Sequence, residues 1–284
     1  NASNSGAIIS SLENKLVSWE KKGTFNAGLD ATLFNSKLNI IFEYYNSKTS
    51  DLLLSSPLAM STGFTGYNAN MGSMKNEGFE LTLRYNWINT KNVRASSTLM
   101  GSTNKNTVLQ LNGDERITSG SQVIEIGKPI YTWYMVKTAG VDPATGQALY
   151  WSYQNDENGN KIEGSDFVTK DRTDAANHKY YLGDPYGKVM GSFGSDFQFG
   201  PVDFSFLTTF QLGGKIYDSV YASALEATYS GDTWSKHVLR RWQKPGDVTD
   251  IPILVSKSSS FAENVKGLRS SQWKTSTNML EINN

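Results

Sequence analysis

Cysteine is absent from the 284 residues, which removes disulfides, thiolate metal sites and cysteine nucleophiles from consideration. Histidine is almost absent. His178 and His237 stand in separate segments of loop composition, so a catalytic triad or a zinc site lacks its usual side chains and no catalytic or metal-ligating residue is assigned. Neither sign of charge is in excess, with 27 basic and 27 acidic residues, and nothing suits electrostatic binding of nucleic acid. No run of 18 apolar residues exists, which excludes a transmembrane helix but leaves open a span made of strands. The opening residues do not read as a secretory leader. The chain opens on the polar run Asn1-Ala2-Ser3-Asn4-Ser5-Gly6, as a processed product or an internal piece of a longer protein would.

What the chain does have is long alternation with period two. Phe79, Leu81, Leu83, Tyr85 and Trp87 share one strand face while Glu80, Thr82, Arg84 and Asn86 share the other. Phe25, Ala27, Leu29, Ala31 and Leu33 form another apolar row. After a tight turn, Leu38, Ile40, Phe42 and Tyr44 oppose Asn39, Ile41, Glu43 and Tyr45. Val93 to Leu99, Val189 to Phe199 and Phe204 to Leu212 repeat the rule. These runs are about 9–11 residues long, the length of a tilted strand that crosses a bilayer. Their polar rows are mainly Asn, Gln, Ser and Thr, as suits a wet lumen, and aromatics at Tyr44, Tyr45, Tyr85, Trp87 and Phe199 fall near row ends, where interfacial girdles belong. A two-sheet sandwich also alternates, but its solvated face usually carries Lys and Glu.

The connections alternate in length. Phe34-Asn35-Ser36-Lys37, Ile88 to Asn92 and Gly200-Pro201 are short; Ser55 to Ser73, Thr103 to Pro185 and the stretch after Gly213 are long. Outer-membrane barrels have short periplasmic turns and long extracellular loops, so the short turns are expected inside and the long segments outside. Residues 103–185 are expected to fold as a loop subdomain, and Asp218 to Tyr229 carries apolar residues at helical spacing. Asn155-Asp156-Glu157-Asn158-Gly159-Asn160 is similar to a calcium loop but puts Gln154 and Ser165 where carboxylates are required, so it reads as a polar turn. Gly191-Ser192-Phe193-Gly194 lacks the helix of a phosphate loop and reads as small residues that ease strand packing.

Several motifs in fixed order resemble the SusC/RagA-type TonB-dependent outer-membrane transporters of Bacteroidetes. They are Ser18-Trp19-Glu20-Lys21, Asn26-Ala27-Gly28-Leu29-Asp30, Leu33-Phe34-Asn35, Tyr44-Tyr45-Asn46, Thr49 to Leu53, Asn70-Met71-Gly72-Ser73-Met74, Asn76 to Glu80, Gly183-Asp184-Pro185, and Arg241-Trp242 with Pro245-Gly246-Asp247. The resemblance implies an all-β fold: an antiparallel transmembrane β-barrel, represented here by about six strands of a large plugged barrel of about 22. On that reading residues 1–284 are a C-terminal portion of the barrel, with the plug absent from this chain.

The same resemblance implies a function. It is TonB-dependent import of a bulky nutrient across the bacterial outer membrane, an oligosaccharide or, as the second choice, a peptide, without enzymatic activity or cofactor. The implied partners are a SusD-like surface lipoprotein, TonB-ExbB-ExbD, the remaining barrel and plug, and outer-membrane lipid. A surface or secreted glycan-binding β-domain without transport is the rival reading. Glu80, Arg84 and Asp196 are expected to face the lumen. Tyr131, Trp133, Tyr134, Trp151, Tyr153, Trp234, Arg241 and Trp242 are candidates for contact with substrate or partner, since aromatics and arginine anchor interfaces. The alternative for the loop aromatics is that they fill the loops' own cores.

Overall fold

In a computed structural model, residues 12–64, 66–112, 116–225, 234–254, 274–276 and 279–283 are described. An 8-stranded antiparallel sheet organises the chain. Its path runs β1 (Lys21–Leu33), β2 (Leu38–Ser50), β3 (Gly72–Asn89), β4 (Val93–Thr103), β5 (Val189–Phe199), β6 (Val202–Leu212) and β7 (Met279–Asn283). Each strand pairs with its neighbour in sequence along this path, and the sheet is open, with β1 and β7 at its edges. Lys105–Leu111 supplies the remaining strand by pairing with the Gly72–Glu77 third of β3.

Register turns the alternation of single strands into two continuous faces. One transverse row reads Leu29, Phe42, Leu81, Gly101, Gly191, Phe210, and the next reads Ala31, Ile40, Leu83, Leu99, Phe193, Thr208. This face leaves large apolar side chains uncovered: Leu29 is 61% exposed, Phe79 50% and Phe204 58%. A water-facing surface rarely carries apolar rows of that extent, whereas the lipid band of a barrel consists of them. The opposite face reads Asp30, Ile41, Thr82, Met100, Ser192, Thr209 in register. It is less uniformly polar than the rows of Asn, Ser and Thr suggested, because Ile41, Met100, Met190 and Leu207 lie on it exposed.

The short turns fall together at one end of the sheet. Phe34, Asn35 and Ser36 all take left-handed backbone, and Lys37 N donates to the Phe34 carbonyl at 3.2 Å. At the other end β3 outruns its expected length: its 18 residues span roughly 60 Å, more than a bilayer's thickness, so the Gly72–Glu77 third stands beyond it. Tyr45 lies on the polar face, as its row predicts, and its hydroxyl donates to the Thr103 carbonyl and to Asn104 Oδ1 at 3.0 Å each.

Above the sheet, the long connections fold on one another. A hairpin of Leu53–Pro57 and Gly66–Asn70 contributes Leu52, Leu54 and Met71 to a core shared with Val108, Leu111, Ile117, Ile124 and Ile130. The apolar filling of the 103–185 segment is thus partly supplied by the preceding connection. Within that segment Arg116–Ser119, Gln122–Glu125, Thr132–Met135 and Tyr180–Tyr181 form one small sheet, and Lys137–Val141, Ala148–Ser152 and Phe167–Thr169 another. Helix α1 (Arg172–Asn177) packs on the second through Ala175, and Asp171 caps it by accepting from Thr173 N and Asp174 N. Helix α2 (Ser219–Leu225) occupies the first part of the stretch expected to be helical; Tyr229 lies outside the described residues. No helix among the described residues is long and apolar enough to cross a membrane, which leaves the strands as the only element here that could.

Candidate functional site

On the polar face, Glu80 sits directly across from Glu43 on one side and Ser102 on the other. These residues, with Lys22, Tyr45 and Asn76, line a hollow of about 520 Å³. Arg84 pairs with Asn39 and Thr98, and Asp196 with Ser96 and Ser205. Arg84 and Asp196 line a second hollow of about 670 Å³ together with Arg94, Gln198 and Asp203. Both signs of charge therefore meet near the short turns, and sequence reasoning had not singled out Arg94 or Asp203. Their signal was available: each directly flanks a short hairpin, in register with Gln198.

The loop aromatics are brought together in part. Trp133 donates from Nε1 to the Lys215 carbonyl at 2.9 Å and lies 6.4 Å from the Tyr217 ring, which ties the loop to the β6 end of the sheet. Tyr134 packs on Tyr181, and Tyr153 packs edge-on against both His178 and Tyr180. Trp151 takes the Lys137 ammonium over its ring at 5.2 Å. Tyr131 is left-handed and exposed, apart from this group. Burial and the bond to Glu125 push the Tyr181 hydroxyl up to about 12, and burial and Tyr134 do the same for Tyr153, so both stay protonated donors at neutral pH.

Trp242, a candidate for contact with substrate or partner by residue type, is buried in this fold. Its indole Nε1 donates to the Pro143 carbonyl at 2.9 Å, and Gly246 N donates to the same oxygen at 2.8 Å. Gly146 makes the approach possible. Its φ is +72°, and a Cβ there would sit 2.6 Å from the Trp242 ring. Asp247 closes the turn by accepting from Gln243 N and Lys244 N at 3.0 Å each. The sequence elements Asp142-Pro143-Ala144-Thr145-Gly146 and Arg241-Trp242 with Pro245-Gly246-Asp247 are thus two halves of one packed junction. Arg241 donates to the Val238 carbonyl at 3.4 Å, while Trp234 remains 39% exposed.

Other motif residues also hold the outer end. Asn70 Oδ1 accepts from Ser18 N at 2.8 Å, and its Nδ2 donates to the Ser18 and Asp51 carbonyls. Asp184, nearly buried, accepts from Tyr186 N and from Lys188 Nζ at 2.7 Å. The Asn155–Asn160 segment is a polar turn: Asp156 Oδ1 accepts from Asn158 N and Asn160 N between the bridged residues Asn155 and Lys161.

With this geometry in place, known proteins can be compared. The family described as "TonB dependent receptor-like, beta-barrel" matches residues 3–123. "TonB-dependent receptor P39" of Formosa agariphila is 28% identical over 88% of this chain and 28% of its own length. "TonB-dependent receptor SusC" of Bacteroides thetaiotaomicron is 28% identical over 77% of this chain and 22% of its own. The chain therefore spans about a quarter of the length of the curated relatives it matches. Among solved structures, the "RagAB peptide transporter" superposes with a TM-score of 0.79 at 23% identity, covering 99% of this chain and 30% of that one. Two matched faces, short turns at one end, packed loops at the other and these likenesses converge: residues 3–123 match the TonB-dependent receptor-like β-barrel family, and the chain has the fold of a stretch of outer-membrane barrel wall with its long loops.

Proposed function

We propose that the chain forms part of the wall and outer loops of a TonB-dependent importer that carries a bulky nutrient, an oligosaccharide, across the outer membrane. The observation behind this is the in-register pair of faces, one apolar and exposed, the other bearing the Glu80 and the Arg84–Asp196 hollows. A secreted glycan-binding domain has no use for the apolar face. In this reading Glu80, Arg84 and Asp196 face the lumen, and energy arrives from TonB-ExbB-ExbD through a plug elsewhere in the protein. A SusD-like lipoprotein caps the mouth, against the exposed Val220, Leu239 and Val248 and the half-exposed Trp234. The preference for a sugar rests on the family resemblance rather than on any residue of this chain, and RagAB is titled a peptide transporter.

The test is uptake of labelled oligosaccharides and peptides by cells that carry the full-length gene, with and without TonB. Oligosaccharide uptake that disappears with TonB is the expected result. Uptake of peptides alone would overturn the substrate class, and uptake indifferent to TonB would overturn the importer.

A further inference from the structure

Where the two loop sheets meet, tyrosine rings and cations form one cluster. Tyr134 and Tyr181 are cross-strand partners with centroids 4.9 Å apart, and Tyr153 lies 5.2 Å from Tyr180. The Tyr153 hydroxyl donates to the Lys179 carbonyl at 3.2 Å, next to Tyr180 in the chain. Cations cover the rings. Lys128 lies 4.0 Å from the Tyr181 centroid, and Arg116 and Lys179 lie 5.1 and 6.0 Å from that of Tyr134. Lys161 is within 5.0 Å of both Tyr153 and Tyr180, and Lys137 is 5.3 Å from Tyr180.

Among the described residues the charges do not balance locally. Glu125 takes Lys128 and the Tyr181 hydroxyl, and Asp166 takes Lys161 and the Tyr180 hydroxyl. Asp174 is engaged with His178. Arg116, Lys137 and Lys179 meet no carboxylate within ion-pair distance among the described residues. A cation held over a ring is oriented and has lost side-chain freedom before any ligand arrives, so less ordering cost remains to oppose binding. The cations over these rings compete with the stacking that a neutral sugar needs. What the cluster offers is a fixed surplus of positive charge with phenol oxygens between the cations.

We propose that this cluster binds an anionic oligosaccharide, one bearing carboxylate or sulfate groups, and so sets the charge class of the cargo. The inference rests on the importer reading above. A peptide is the weaker fit: strand addition holds an extended peptide by main-chain bonds, and the edge strand here, Tyr180–Tyr181, has only 2 residues.

The experiment is calorimetric titration of the purified full-length transporter, with any lipoprotein that co-purifies, against hexagalacturonate, a chondroitin sulfate hexasaccharide, maltohexaose and hexaglutamate. Binding of either acidic sugar, weakening as sodium chloride is raised, is expected, and the two probes separate carboxylate from sulfate. The Arg116→Gln, Lys137→Gln, Lys179→Gln triple variant should lose about tenfold or more in affinity, since neutralising charge contacts removes their salt-dependent share of binding. The charge-keeping variant Arg116→Lys, Lys137→Arg, Lys179→Arg should retain most of it, which separates loss of charge from loss of loop structure. Undiminished binding by the triple variant, equal binding of maltohexaose, binding of hexaglutamate alone, or no binding of either acidic sugar would overturn the proposal. TonB-dependent uptake without charge preference would sink it while leaving the importer reading intact; acidic-sugar binding without energised uptake would do the reverse.

Discussion

The Tyr45 hydroxyl reaches across the sheet to the Thr103 carbonyl at 3.0 Å, passing over Gly78, its own cross-strand partner. A Cβ on residue 78 would lie 1.9 Å from that carbonyl and 2.7 Å from the tyrosine oxygen. At this point β3 exchanges one partner for another, with β4 alongside Glu80–Asn89 and Lys105–Leu111 alongside Gly72–Glu77. The exchange pushes the Thr103–Asn104 backbone onto β3, and only a glycine leaves room.

Gly78→Val should therefore prevent correct pairing of β3 with the strand beyond Thr103. Loss of the heat-modifiable, folded band of the full-length protein in outer-membrane fractions is the expected outcome. Tyr45→Phe removes one hydroxyl and should cost about 1 kcal/mol, so it should still assemble. Normal assembly of Gly78→Val would show that the backbone at Thr103 can yield.

Placing arginine on the two faces of β3 should have unequal effects. Leu83 lies in register between Ile40 and Leu99 on the apolar face, while Thr82 lies between Ile41 and Met100 on the other. Leu83→Arg at mid-bilayer depth should cost about 2–4 kcal/mol, and Thr82→Arg less, because a lumen position keeps its charge in water. Assembly yield and urea resistance of each variant in the full-length protein measure this. Equal tolerance would mean that neither face meets lipid.

The strands were legible because each residue's face follows from its position parity, and an apolar row such as Phe79 to Trp87 cannot be mistaken for a turn. The outer part of β3 was not legible. Gly72-Ser73-Met74-Lys75-Asn76-Glu77-Gly78 has the composition of a loop and is a strand because β2 pairs with it on one side and Lys105–Leu111 on the other. The loop aromatics were harder still, since their partners are remote in sequence: Trp133 bonds to Lys215, and Trp242 to Pro143. Residue type identified them as important but could not separate a ring that fills a core from one that meets a ligand.

Acidification should loosen the outer loops at the Asp142 turn. Lys170 donates to the Asp142 carboxylate, Thr145 Oγ1 donates to it at 2.6 Å and Ala144 N at 3.0 Å. Together, with Lys170 first, they lower its pKa from 3.8 to about 2. Because the folded value is depressed, the contribution is present above the unfolded value and is lost as pH falls from about 4 towards 2. Limited proteolysis within the 140–170 segment should quicken over that window. Asp142→Asn should show faster cleavage at neutral pH and little further change on acidification; a wild-type rate flat down to pH about 2 would remove the carboxylate from the account.

The buried Trp242 and its exposed neighbours should separate loop integrity from partner docking. Trp242→Ala empties the space over Gly146 and leaves the Pro143 carbonyl without its indole donor, and should cost the junction about 3–5 kcal/mol. Proteolysis of the 234–254 segment is the readout, and faster cleavage is expected. Leu239 and Val248 are 71% and 90% exposed, so Leu239→Ser with Val248→Ser should leave protease resistance unchanged. If a surface lipoprotein docks here, the same double variant should reduce its co-purification from detergent-solubilised membranes, because apolar residues at the centre of an interface carry much of its affinity. Undiminished co-purification by the double variant, alongside cleavage of Trp242→Ala, would place the partner elsewhere and leave Trp242 a purely architectural residue.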